Sequence, residues 1–175
     1  MSLKIKVKET KTGRQMRMLT NEKKVAFRVG VFGSDNSEMV TIGAVHEFGA
    51  EIEVKESRFV QDLGKVVKEG TIIRIPARRW ASLAMERNEK FIKKLIRQVL
   101  KRIGEGKLTI DKANNIVAIT LASLTKQNLG VNMPPPLKYR QGTPLVDNGD
   151  LRRSIGTKII TNKGISNTLG YGDDR

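Results

Sequence analysis

Hydrophobic and polar positions alternate strictly over residues 3–8, Leu3-Lys4-Ile5-Lys6-Val7-Lys8. A period of two predicts a β-strand with an apolar inner face and a lysine outer face. Outward lysines suit an edge strand, where charge discourages stray pairing. Residues 11–24 are polar around Met16, Met18 and Leu19 and predict a short helix or loop. Residues 25–32, Val-Ala-Phe-Arg-Val-Gly-Val-Phe, are rich in strand formers and predict a second strand. Gly33-Ser34-Asp35-Asn36-Ser37 is turn chemistry. An apolar stretch from Met39 to Phe48 is long enough for two helical turns, and Gly49 stands where a helix stops.

Residues 50–70 are acidic to mixed and predict a projecting loop or hairpin. Thr71-Ile72-Ile73-Arg74-Ile75 reads as a strand ended by Pro76. The strongest periodicity lies over residues 78–103. Trp80, Leu83, Ala84, Phe91, Leu95, Val99 and Ile103 recur near 3.6 residues apart, and Ile92, Ile96 and Leu100 widen the stripe. Lys90, Lys93, Lys94, Arg97, Lys101 and Arg102 fill the other side, and Gly104 and Gly106 end the helix. Thr109 or Asp111 can cap a second helix over 110–129, with Ile116, Val117, Leu121 and Leu124 inward. Gly130 closes it, and Pro134-Pro135-Pro136 is a stiff connector.

Residues 137–144 read as an exposed loop. Asp147 or Asn148 can cap a short turn through Asp150, Leu151 and Arg152. A strand over 154–161 follows, and Gly164 turns the chain into a hairpin with 165–169. These elements predict an α+β fold. Three to five mostly antiparallel strands form a sheet, with two long adjacent helices packed on one face. A single domain over residues 1–170 is predicted, with 171–175 a mobile tail.

Composition narrows the function classes. The chain has 175 residues, enough for a real core. It has no cysteine, which excludes disulfides, thiolate metal sites and cysteine nucleophiles. No long apolar run is present, so no membrane span is expected. The first residues lack the apolar region of a secretory signal. The net charge is +15. Residues 1–30 carry +7, 31–64 carry −5, 65–107 carry +9 and 108–175 carry +4. A pure nucleic-acid clamp gains nothing from an acidic block between basic ones. Copies that meet head to tail could use it, because opposite patches steer association.

Catalytic constellations are sparse. His46 is the only histidine and is followed by Glu47. Metal binding would need further ligands, and the chain has no second histidine and no cysteine, so packing or capping is the favoured role. Glu51, Glu53 and Glu56 read as a solvated acidic loop. Asp147 and Asp150, three apart, read as capping groups with Arg152 or Arg153 nearby. The glycines lack a phosphate-loop context, and Ser82 and Ser154 lack a partner pattern. The basic helix face at 87–102 could meet phosphate. Its aromatic neighbours Trp80 and Phe91 lie on the apolar stripe and are not free to stack on bases. No catalytic residue, metal or cofactor is expected.

Three segments together resemble one family. Ile42-Gly43-Ala44-Val45-His46-Glu47-Phe48-Gly49 is close to its "A-x-x-H-E-F-G" helix end. Ile75-Pro76-Ala77-Arg78-Arg79-Trp80 looks like its "I-P-A/P-R-P-F" segment. Pro144-Leu145-Val146-Asp147-Asn148-Gly149-Asp150-Leu151-Arg152-Arg153-Ser154-Ile155 is similar to its "P-L-x-D-T-G-x-L-x-x-S-I" element. The family is the phage virion-morphogenesis proteins, also called minor tail, neck or tail-completion proteins, and the resemblance covers about residues 25–160. Arg79 stands where the family often has proline, and Asn148 where it often has threonine.

The resemblance implies a non-enzymatic component of the virion that completes the tail or the head–tail connector. It implies a ring built from copies of itself, docked on other tail or connector proteins. The place would be the virion, and the host cytoplasm during assembly. The alternative is a basic nucleic-acid-binding accessory protein.

The motif residues also have readings of their own. Phe48 is expected to plug the core and Gly49 to take a left-handed conformation. Pro76 stops the strand and suits a helix start. Arg78 is expected near that start, in reach of Glu47 or Asp150. Leu151 is expected in the core, with Arg152 and Arg153 in solvent. Gly149 and Ser154 belong to the same turn. The candidate association surface is the 50–70 segment. Its acidic residues are Glu51, Glu53 and Glu56, and its apolar residues are Ile52, Val54, Phe59 and Val60.

Overall fold

The computed structural model describes residues 10, 13–14, 25–32, 37–60, 64–129, 131, 133–136, 145, 149–161 and 164–168. The expected strand at 3–8, most of 11–24, the turn at 33–36, Gly130, the 137–144 loop, Asp147 and residues 170–175 lie outside them.

A three-stranded antiparallel sheet organises the molecule. β1 (Ala26–Gly30) and β7 (Gly164–Thr168) flank β6 (Gly156–Thr161). Phe27 stands opposite Ile159, and Ile160 opposite Ile165. The chain then alternates between helices and short ribbons: α1 (Ser37–Phe48), β2 (Ala50–Glu53), β3 (Arg58–Val60), β4 (Lys65–Val67), β5 (Ile72–Ile75), α2 (Trp80–Arg87), α3 (Glu89–Gly104), α4 (Ile110–Asn128) and α5 (Asp150–Arg153). Helices on an antiparallel sheet give the expected α+β class.

Helix α4 is the central layer. Thr109 caps it by accepting from Lys112 N–H, as the sequence predicts. Ala113, Val117, Ala118, Leu121, Ala122 and Thr125 recur along its buried side. The small Ala118 and Ala122 allow close approach to the sheet, and Thr157 of β6 donates its hydroxyl to Ala118 O at 3.0 Å. One core cluster joins Val99 and Ile103 of α3 to Leu108, Ile110, Val117 and Leu121, with Phe27 and Val29 of β1 packed against it. A second cluster joins Trp80, Leu129, Met133, Leu151 and Ile155.

The single helix expected over 78–103 is two helices. Residues 76–79 stay non-helical, and Trp80 opens α2. Asn88 then sits at φ −106° and ψ 11° between α2 and α3. Its side-chain amide donates to Ala84 O at 2.8 Å, competing for the carbonyl that the helix ladder would use. The predicted inward stripe of α3 narrows accordingly. Ile92, Leu95, Val99 and Ile103 face the core, whereas Phe91, Ile96 and Leu100 lie on its margins and are exposed.

The 50–70 segment forms nested antiparallel ribbons. β2 pairs with β5, Glu51 opposite Arg74. Inside that pair, β3 pairs with β4, Phe59 opposite Val66. Val54 continues the outer pairing, donating to Thr71 O and accepting from Gly70 N–H, and its side chain is buried. Val54 therefore leaves the set of exposed apolar residues expected for this segment. Among the described residues, no helix is long and apolar enough to cross a membrane.

Candidate functional site

The three motif segments, far apart in sequence, meet at one junction. Gly49, at φ +80°, lets the chain turn from α1 into β2 against the next motif. A Cβ there would stand 3.0 Å from Ile75 O and 3.1 Å from Ala77 N. Arg78 N–H donates to His46 O at 2.6 Å. Trp80 Nε1 donates to Gly43 O at 2.9 Å. Leu151 packs beside both, in the cluster with Trp80.

Glu47 has a role that the sequence did not reveal. Its carboxylate accepts from Ala81 N–H at 2.8 Å, Ser82 N–H at 3.1 Å and the Ser82 hydroxyl at 2.6 Å. These are first-turn donors of α2, which no helical carbonyl can serve. A carboxylate there also meets the positive end of the helix dipole. The available signal was negative: Ala77-Arg78-Arg79 offers no Ser, Thr, Asp or Asn to cap α2 locally.

Arg78 is 6% exposed. Instead of reaching Glu47 or Asp150, it donates Nε–H to Pro135 O at 3.1 Å. Burial lowers its pKa from the ordinary value. His46 lies beside it with Nδ1 buried and without a hydrogen-bond partner among the described residues. Its pKa falls below the ordinary 6.5, first through burial and second through the neighbouring Arg78 charge. His46 is thus held as neutral imidazole in a packed junction.

One other expectation changes. Phe48 does not plug the core; it is 80% exposed and lines an open groove with Met39, Ile42, Ile75 and Pro136. The physical reason is helical phase: Gly43, Trp80 and Leu151 fill the buried side of α1, and Phe48 falls on its open end. Asp150 pairs with Arg153, one of the two local partners its spacing predicts, and Ser154 donates its hydroxyl to Asp150 O at 2.8 Å. Leu151 is buried and Arg152 and Arg153 are exposed, as predicted. Gly149 takes φ +84° as it leads into α5.

The candidate association surface resolves into two faces of one ribbon. Pairing puts Val67 on the inner face, buried, with Val60 half-buried beside Lys65. On the outer face Phe59 and Val66 stand directly opposite each other, each 63% exposed. Val66 escaped sequence reasoning because only the register shows that it shares a face with Phe59. Glu51, Glu53 and Glu56 are exposed. Glu51 accepts from Arg74 Nε–H at 2.8 Å, so its charge is already met within the ribbon. Residues 50–75 hold five carboxylates and five basic side chains. The −5 of residues 31–64 is therefore not one acidic face, because β4 and β5 bring bases from outside that stretch.

Among the described residues, no group of three histidine, aspartate or glutamate side chains is placed to hold a metal ion. In comparisons with known proteins, no family model, curated protein or solved structure matches this chain.

Proposed function

We propose that the chain is a non-enzymatic structural protein of phage virion assembly. It completes the tail or the head–tail connector as one subunit of a ring, alongside other tail or connector proteins. The observation that carries this reading is the Phe59–Val66 pair on the outer face of the ribbon. The ribbon already packs Val54 and Val67 inward, so the outer pair gives its own fold no more than a cross-strand contact of about 0.2–1 kcal/mol and leaves most of its surface in water. Contiguous exposed apolar surface is where proteins meet partners, and these two side chains adjoin on one face. A closed ring needs two different patches per copy, and a projecting ribbon is suited to be one of them. The junction of the three motif segments supports the reading in a second way. It ties the ribbon's base, through Gly49, Ile75 and Arg78, to the core cluster around Trp80.

The test is complementation in the phage or prophage that carries the gene. Particles made without the protein are expected to accumulate as incomplete tails or unjoined heads and tails by electron microscopy. The wild-type chain restores them, and a Phe59→Ser, Val66→Ser variant does not. Infectious particles of normal form in the absence of the protein would overturn the proposal.

A further inference from the structure

Helix α3 carries a second surface that the assembly reading does not use. Lys90, Lys94, Arg97 and Lys101 step by four, three and four residues, so all four lie within a narrow arc of the helix. They are exposed and span about 16 Å along the axis. The nearby carboxylates are engaged: Glu89 bonds Lys93, and Glu105 bonds Lys107 at 2.8 Å with Lys101 more distant at 3.9 Å. Among the described residues, Lys90, Lys94 and Arg97 form no ion pair.

We propose that this stripe of four cations binds the phosphate backbone of a nucleic acid, without regard to sequence. The stripe's length of about 16 Å runs alongside about five phosphates of a strand that presents one every 3.4 Å of rise, so each of the four cations has a phosphate within reach of its long side chain. No aromatic side chain lies on the arc, since Phe91 stands about a quarter-turn away and Trp80 is buried. The contact is therefore with the backbone rather than with stacked bases. Among the described residues, the exposed carboxylates of a second copy's ribbon are a poorer match for four cations, because Lys55, Arg58, Lys65, Lys68 and Arg74 lie among them and Glu51 is already bonded. A membrane surface is a poorer fit, because Ile92, Leu95, Val99 and Ile103 pack into the core and leave only Phe91, Ile96 and Leu100, split between the two margins of α3, to insert.

The experiment is fluorescence anisotropy of the full chain with a labelled 30-base-pair duplex, between 50 and 200 mM salt. Four phosphate contacts give a slope of log K against log salt of about −3.6. Lys90→Gln, Lys94→Gln, Arg97→Gln is expected to weaken binding at least tenfold and reduce the slope by about 2.7. Its melting temperature should be unchanged. The control Lys55→Gln, Lys65→Gln, Lys68→Gln removes the same charge from the ribbon and should bind like wild type. Equal weakening by both triples would mean that net charge alone attracts DNA, and would overturn the proposal. So would a helix triple that leaves DNA binding intact. So would binding confined to phosphatidylserine–phosphatidylcholine vesicles, or a helix triple that loses only self-association.

Discussion

Trp80 shows how much one side chain can hold. It is 4% exposed, packs against Leu129, Met133, Leu151 and Ile155, and spends its only polar atom on Gly43 O. Trp80→Ala is expected to cost about 3–5 kcal/mol in urea unfolding. In the wild type its fluorescence should be blue-shifted and closed to quencher. Red-shifted, quenchable emission from the folded chain would contradict its place in the core. Its neighbour His46 gives a pH dependence whose sign follows from its lowered pKa. The unfolded chain takes up a proton near pH 6.5, whereas the folded chain resists it. This contribution is complete above pH 6.5 and is lost as pH falls through the lowered native pKa. His46→Gln should fold normally. Between pH 8 and pH 5 its melting temperature should fall less than that of the wild type. Parallel curves would remove His46 from the account.

At the scale of elements, Glu47 ties α1 to α2 through three hydrogen bonds, two of them to backbone donors of a helix with no local cap. Glu47→Ala is expected to cost about 1–3 kcal/mol, and Glu47→Gln less, by chemical denaturation. Equal stability of all three proteins would mean that water serves those donors as well. Local patterns made many elements legible. The run from Met39 to Phe48 is a helix stopped at Gly49, Thr109 caps α4, and β6 and β7 form the terminal hairpin. What escaped was long-range or depended on one side chain. Asn88 breaks a stripe whose spacing reads as continuous. Glu47 acts 34 residues away, and Phe48 and Phe91 look like core residues until the neighbouring elements are placed.

The whole molecule carries a charge pattern that sequence order alone misstates. Residues 31–64 sum to −5, but the β2–β5 pairing sets Arg74 against Glu51 and balances the ribbon. Exposed ion pairs are worth about 0–1 kcal/mol each, so charge was never sufficient to hold copies together. Reversing Glu53 and Glu56 to lysine should slow association more than it weakens it. The apolar pair Phe59 and Val66 should set its strength. The segment was legible as a candidate surface, with Phe59 in it, but its outer face depends on a register that composition cannot show. The most direct measurement is sedimentation equilibrium of the wild type and of Phe59→Ala, Val66→Ala over a range of concentrations, with melting temperature beside it. The wild type should show mass above the monomer, the variant monomer mass, and both the same melting temperature. Equal association in the two proteins, a wild type that stays monomeric, or a variant that unfolds would contradict it.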